Sequence, residues 1–137
     1  RITCTLRGPQ IAAQAMGADF AYVGSAFIAT DEARACPAYK QMIVDGSSDD
    51  IVNSNLFTGV HGNYLRGSIE QVGLDPDALP SGNPSEMNFG ADAAKAWKDI
   101  WGSGQGIGAV KQVQPVCELV ARLRMEYAQA RARLSLA

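Results

Sequence analysis

Residues 19–23, Asp19-Phe20-Ala21-Tyr22-Val23, form a short apolar run with aromatic and β-branched side chains, and the small residues Gly24 and Ser25 follow it directly. Such a run reads as a buried strand. A helical pattern over residues 9–16 leads into it. Pro9 suits the first helical position, where its missing N–H costs nothing. Ile11, Ala12, Ala15 and Met16 share one face, and Gly17 stands where a left-handed cap residue belongs. A helix, a buried strand and a Gly-Ser turn at its carboxyl end are the parts of an α/β phosphate site. In such sheets and barrels, ligands gather at the carboxyl ends of the strands. The competing reading of Gly24-Ser25 is a plain turn.

The 137 residues suffice for one domain with a real core, and 47% hydrophobic against 19% charged residues fits a globular chain. Twelve basic and 14 acidic side chains leave a net charge of −2, which gives no reason to expect nucleic acid or an anionic membrane as partner. No apolar run approaches membrane-spanning length, and no secretory leader pattern is present. Cys4, Cys36 and Cys117 are odd in number and widely spaced, so neither a disulfide framework nor a metal site follows. Idle thiols in a reducing cytoplasm are the expectation. The chain opens on Arg1, and its first elements read as the middle of a longer protein.

Further along, Thr30 reads as a helix N-cap with Asp31 and Glu32 in the first turn, and Pro37 breaks or restarts that helix. Residues 39–45 continue helically to Gly46, and 47–50 form a polar connector. Residues 51–57 are either extended or irregular. They lead into a turn-rich stretch, Thr58-Gly59-Val60-His61-Gly62-Asn63-Tyr64-Leu65, and a short helix over 65–72. Residues 74–90, with three prolines, read as a surface loop. A helix over 91–101 places Ala93, Trp97, Ile100 and Trp101 near one side. After the glycine-rich turn at 102–108, Pro115 opens a last helix, along which Val116, Leu119, Val120, Leu123, Tyr127, Ala130 and Leu134 trace an apolar stripe. Glu118, Arg122 and Glu126 read as a solvated charge ladder on another face.

Few of these segments carry chemistry on their own. The four glycines at 102, 104, 106 and 108 follow a helix and lack the spacing of a dinucleotide fingerprint. They imply either left-handed backbone angles or close approach by another group. His61, the one histidine, stands next to Gly62 in the turn-rich stretch, and either contacts a substrate or anchors its loop. Lys111 reads as a solvated lysine, and Trp97 with Trp101 as a packed face.

Residues 14–30, with Gly17-Ala18-Asp19 followed by Val23-Gly24-Ser25-Ala26-Phe27-Ile28-Ala29-Thr30, resemble the nitronate monooxygenases, also called 2-nitropropane dioxygenases. That family's wording here is a helix of small residues, Gly-Ala-Asp, then a strand ending Met-Gly-Thr-x-Phe-Leu-Ala-Thr. Residues 56–65 resemble a subgroup signature. Trp101-Gly102-Ser103-Gly104-Gln105-Gly106-Ile107-Gly108 and the last helix resemble the family's closing segment. The likeness runs from about residue 8 to the end.

The resemblance implies an α/β fold: the C-terminal fragment, about the last two-fifths, of an FMN-binding (β/α)₈ TIM barrel with its helical subdomain. Its parts would be a last barrel helix and strand with a phosphate turn at 1–30, a mostly helical subdomain at 31–101, and a closing segment at 102–137. It implies flavin mononucleotide as cofactor, with Tyr22, Val23, Gly24 and Ser25 as one half of the phosphate clamp and Gly104 and Gln105 near the flavin. His61 would wall the substrate pocket. The implied reaction oxidises an alkyl nitronate with O2 to a carbonyl compound and nitrite. The family's catalytic histidine lies on an upstream strand and has no counterpart here, and His61 does not match its position. Only Arg7-Gly8 resembles what precedes the first helix in the family. The missing part of the barrel, or a second copy, is the implied partner, and a fragment of this kind is expected to turn over nothing alone. The alternatives are a flavin-dependent enoyl-acyl carrier protein reductase and a non-catalytic remnant that only packs against a partner.

Overall fold

A computed structural model of the protein describes residues 9–82 and 98–135. Residues 1–8, with Cys4 and Arg7-Gly8, the second part of the loop at 83–90 and the expected helix start at 91–97, with Ala93 and Trp97, lie outside the described residues. The chain divides into two units, one made of Arg1–Asp45 and Gly106–Ala137, the other of Gly46–Gln105.

In the first unit, α1 (Pro9–Ala15) begins on its proline and buries Ile11. It ends as the sequence predicts. Gly17 takes φ 93°, its amide donates to the Gln14 carbonyl at 2.9 Å, and the Ala18 amide donates to Ala13 at 2.9 Å. These two bonds satisfy carbonyls that the last helical turn leaves over. Residues 19–23 then depart from expectation. They form no strand, and the side chains of Phe20 and Tyr22 are 95% and 92% exposed. Parallel strands are held by ladders to their neighbours and read as continuous apolar runs because both faces are covered. Among the described residues, no segment pairs with 19–23.

The short helix α2 (Ser25–Ile28) follows, with Gly24 as its N-cap. Thr30 does not start a helix. Its hydroxyl donates back to the Phe27 carbonyl at 2.7 Å, and its backbone forms a parallel bridge with Gln114. Lys40, in α3 (Pro37–Asp45), donates its ammonium to the carbonyls of Thr30 at 2.6 Å and Asp31 at 3.2 Å. The long last helix, α5 (Val116–Ser135), buries Leu119 in its first turn, and the Tyr127 hydroxyl is 2.7 Å from Gln14 Oε1 in α1. Ala26, Ala29, Ile43, Ile107 and Val110 are buried in the same unit.

The expected stripe on α5 needs correction. Val120 and Leu134 are exposed, whereas Arg122 and Glu126 are only partly exposed, with the Nε and Oε2 atoms of the two side chains buried and unpartnered. Positions 122 and 126 lie three and seven residues after Leu119, so helical periodicity sets them on the flank of its buried face.

The second unit opens with a one-turn 3₁₀ helix, Ser48–Asp50, fixed by a capping box in which Ser47 and Asp50 satisfy each other's ends. Strand β1 (Ile51–Ser54) pairs antiparallel with β2 (Gly62–Leu65), with Val52 opposite Tyr64 and Asn53 opposite Asn63. Helix α4 (Arg66–Gln71) follows at once and closes on Gly73 at φ 82° with the same pair of carbonyl bonds seen after α1. Tyr64, Ile69 and Ile100 form the core, with Val52, Phe57 and Leu79 packed on it, and the Phe57 ring meets Tyr64 edge-on at 4.9 Å. Buried Ser68 ties this core to the chain beyond it. Its hydroxyl donates to Leu65 O at 2.7 Å and accepts the Trp101 amide at 3.0 Å.

The described residues are therefore a small, mostly helical α/β piece whose sheet is a two-stranded hairpin rather than a barrel. None of their helices is long and apolar enough to cross a membrane.

Candidate functional site

The richest polar arrangement stands on the β1–β2 hairpin. Side chains alternate across a strand, so Val52 and Tyr64 face the core while Asn53 and Asn63 share the opposite face. Asn53 Nδ2 donates to Asn63 Oδ1 at 2.8 Å, and Asn53 Oδ1 lies 2.8 Å from His61 Nδ1. The loop before His61 is held by its own backbone. Gly59, at φ 74°, donates to the Asn55 carbonyl at 2.9 Å, and Thr58 bonds Val60 through both its hydroxyl and the Val60 amide. His61 is thus an exposed imidazole with an oriented ring.

Residues 101–103 run antiparallel along the free edge of β2. The Leu65 amide donates to Trp101 O at 2.8 Å, Tyr64 bridges Gly102, and the Ser103 amide donates to Asn63 O at 3.0 Å. That sense carries the chain from Ser103 through Gly104 and Gln105 toward the His61 end of β2. His61 and Gly104-Gln105 therefore share one unit, although Gln105 is not part of an open turn: it begins a 3₁₀ helix, Gln105–Ala109. Among the described residues, positive φ angles at glycine occur only at 17, 59 and 73, so the left-handed explanation of the glycine-rich turn is excluded. A Cβ at Gly102 would meet only Asn63 O, at 3.5 Å, and one at Gly108 would meet nothing within 4 Å.

Tyr22, Val23, Gly24 and Ser25 lie in the other unit. Ser25 is the first residue of α2, so the pair marks a helix start and not the tip of a strand. Gly24 has φ −110°, open to any residue, and a Cβ there would meet only Tyr22 Cε1 at an ordinary 3.7 Å. Neither backbone strain nor internal crowding accounts for glycine at this position.

Arg66 and Asp77 form a two-armed pair, each arm 2.8 Å. That bonding raises the Arg66 guanidinium above its usual range and holds the Asp77 carboxyl below its own. Burial, with Cys36 nearby, pushes the Tyr39 phenol up. Lys111 is exposed. No group of three or more His, Cys, Asp or Glu side chains among the described residues could hold a metal.

Sequence reasoning passed over Asn53, Asn63 and Ser68. The two asparagines sit ten residues apart around a turn-rich stretch, a spacing that becomes a cross-strand pair only once the hairpin register is known.

No family profile and no curated protein matches the chain. Solved structures do. Nitroalkane oxidase from Streptomyces ansochromogenes aligns with 33% identity over 94% of this chain, at a TM-score of 0.66. FabK from Thermotoga maritima aligns with 21% identity over 95%, at 0.64, and a point mutant of it with 22% identity at 0.63. The last two show likeness of fold. The chain spans 39 to 44% of the length of these structures.

Proposed function

Because the chain belongs to the nitronate monooxygenase family of flavin-dependent barrel proteins, we propose that it forms part of an FMN-dependent oxidoreductase acting on alkyl nitronates. The observation that carries this reading is the 33% identity to a nitroalkane oxidase over nearly the whole chain. Bound flavin would supply the electron transfer between substrate and O2, with a carbonyl compound and nitrite as products.

The chain's own residues would bind and orient. Gly24 and Ser25 would receive the phosphate: the missing side chain at Gly24 leaves room for it, and a helix start presents main-chain N–H groups outward. Tyr22 and Val23 would line the approach. Gly104 and Gln105 would lie against the flavin, where small residues admit a ring close to the backbone. His61 would face the substrate from the hairpin.

Titrating the 137-residue chain with FMN and following quenching of flavin fluorescence tests the cofactor assignment. Weak binding at best is expected of the chain alone; saturable micromolar binding disfavours a non-catalytic packing role, and absence of binding favours it. A second reading, an enoyl-acyl carrier protein reductase reaction using a nicotinamide cofactor, draws on the fold shared with FabK. O2 consumption with a nitronate, against NAD(P)H oxidation with an enoyl thioester, separates the two in a protein containing a complete barrel.

A further inference from the structure

We propose that Asn53 and Asn63 are positioning residues that confine proton exchange on His61 to Nε2, the ring nitrogen remote from Asn53. The chemical consequence at the substrate rests on the reading that His61 faces it; the hydrogen-bond argument does not.

A primary amide carries one atom that only accepts and one that only donates. Asn53 Nδ2 is committed to Asn63 Oδ1 at 2.8 Å, so the atom turned to the imidazole is the carbonyl oxygen, 2.8 Å from Nδ1. A carbonyl oxygen cannot donate. His61 Nδ1 must therefore carry hydrogen, and in the neutral ring the lone pair is left on Nε2. When the ring is protonated, Nδ1 still donates to Asn53 and the added proton sits on Nε2. The same hydrogen bond thus survives both states, and only Nε2 gains or loses a proton. Neutral, it accepts from a ligand hydroxyl, N–H or acidic C–H; protonated, it donates to an anionic oxygen such as that of a nitronate.

Asn63 is the acceptor at the far end of the relay. Its side-chain oxygen receives Asn53, and its backbone carbonyl receives the Ser103 amide at 3.0 Å. Strand register sets Asn53 and Asn63 directly opposite one another, so the relay is built into the pairing of β1 with β2. An amide at the base of the relay is uncharged. It orients the ring without fixing the imidazolium as a carboxylate would.

His61 is the only histidine, so ring-nitrogen NMR of the ¹⁵N-histidine-labelled chain reads this site alone. With the ring neutral, the expected spectrum has a protonated Nδ1 and an unprotonated Nε2. Asn53→Leu should move the ring to the Nε2–H form that free imidazole side chains prefer. Asn63→Leu should mix the two forms, while Asn63→Asp, which keeps the acceptor, should restore the wild-type pattern. Nε2–H in the wild-type chain, or an unchanged tautomer in Asn53→Leu, overturns the proposal. If Asn53→Leu does not fold, the wild-type spectrum alone decides. The FMN titration is independent: loss of flavin binding with the tautomer intact sinks the proposed function and leaves this inference standing.

Discussion

The carboxylate of Glu32 accepts the backbone amide of Val116 through both of its oxygens, at 3.1 and 2.9 Å, across 84 residues of sequence. Val116 begins α5, where main-chain N–H groups lack intrahelical acceptors and the helix dipole favours negative charge. Glu32 thus caps a helix it does not belong to. Glu32→Ala should lower stability by about 1 kcal/mol, the usual worth of a lost N-terminal cap. Glu32→Gln keeps an acceptor oxygen and loses the charge, so it should cost less. Urea unfolding of the two variants beside wild type checks both the loss and its order.

Sequence pattern reached what local chemistry controls. The proline start and glycine stop of α1, the long last helix, and the short helix after residue 65 all rest on neighbouring residues, and the structure has them. What depends on distant partners was not legible in the same way. Asp19–Val23 composition is that of a strand buried on both sides, yet a strand requires neighbours, and Phe20 and Tyr22 stand exposed. Thr30 has the chemistry of an N-cap, but its backbone is taken by Gln114. Arg122 and Glu126 look solvated by charge and are half-buried by helical phase. At the candidate site, His61 was visible as an isolated histidine beside a glycine, whereas its asparagine partners emerge only from strand register.

The far end of the loop after α4, at Gly82, is held by the side chain of Asn55. Asn55 Oδ1 accepts the Gly82 amide at 3.0 Å, and Asn55 Nδ2 donates to the Gly82 carbonyl at 3.2 Å, so the amide imitates a strand partner. A Cβ on Gly82 would collide with the Asn55 carbonyl oxygen, a backbone atom that cannot swing aside. Gly82→Ala should therefore detach this loop. Asn55→Ala removes both bonds and should cost about 1–3 kcal/mol. Hydrogen exchange at Gly82 should accelerate in both variants, and an unchanged rate would show that the anchor lies elsewhere.

Acid should weaken the second unit through Asp77. Its bond to Arg66 lowers the folded-state carboxyl below the ordinary value of 3.8. A carboxyl with a depressed folded pKa contributes stability above its unfolded value, and that contribution disappears as pH falls through the folded one. Both groups are open to solvent, so screening limits the effect. Asp77→Asn should be less stable than wild type at neutral pH, and the gap should close below pH 3.8 and in high salt. Melting temperatures of the pair across acid pH give the comparison.

Gly24 separates a ligand role from a folding role more cleanly than any other position. Its φ of −110° suits every residue, and an added Cβ meets only Tyr22 at 3.7 Å. Gly24→Ala loses a little as an N-cap and gains from a less flexible unfolded chain, so stability should change by no more than about 0.5 kcal/mol. A phosphate received at this backbone would meet the new methyl group directly. FMN affinity should then fall about tenfold in Gly24→Ala, equivalent to about 1.4 kcal/mol, and further in Gly24→Val. Thermal unfolding and flavin titration on the same preparations read the two effects separately. Unchanged FMN affinity in Gly24→Val, with the fold intact, would remove this turn from the cofactor site.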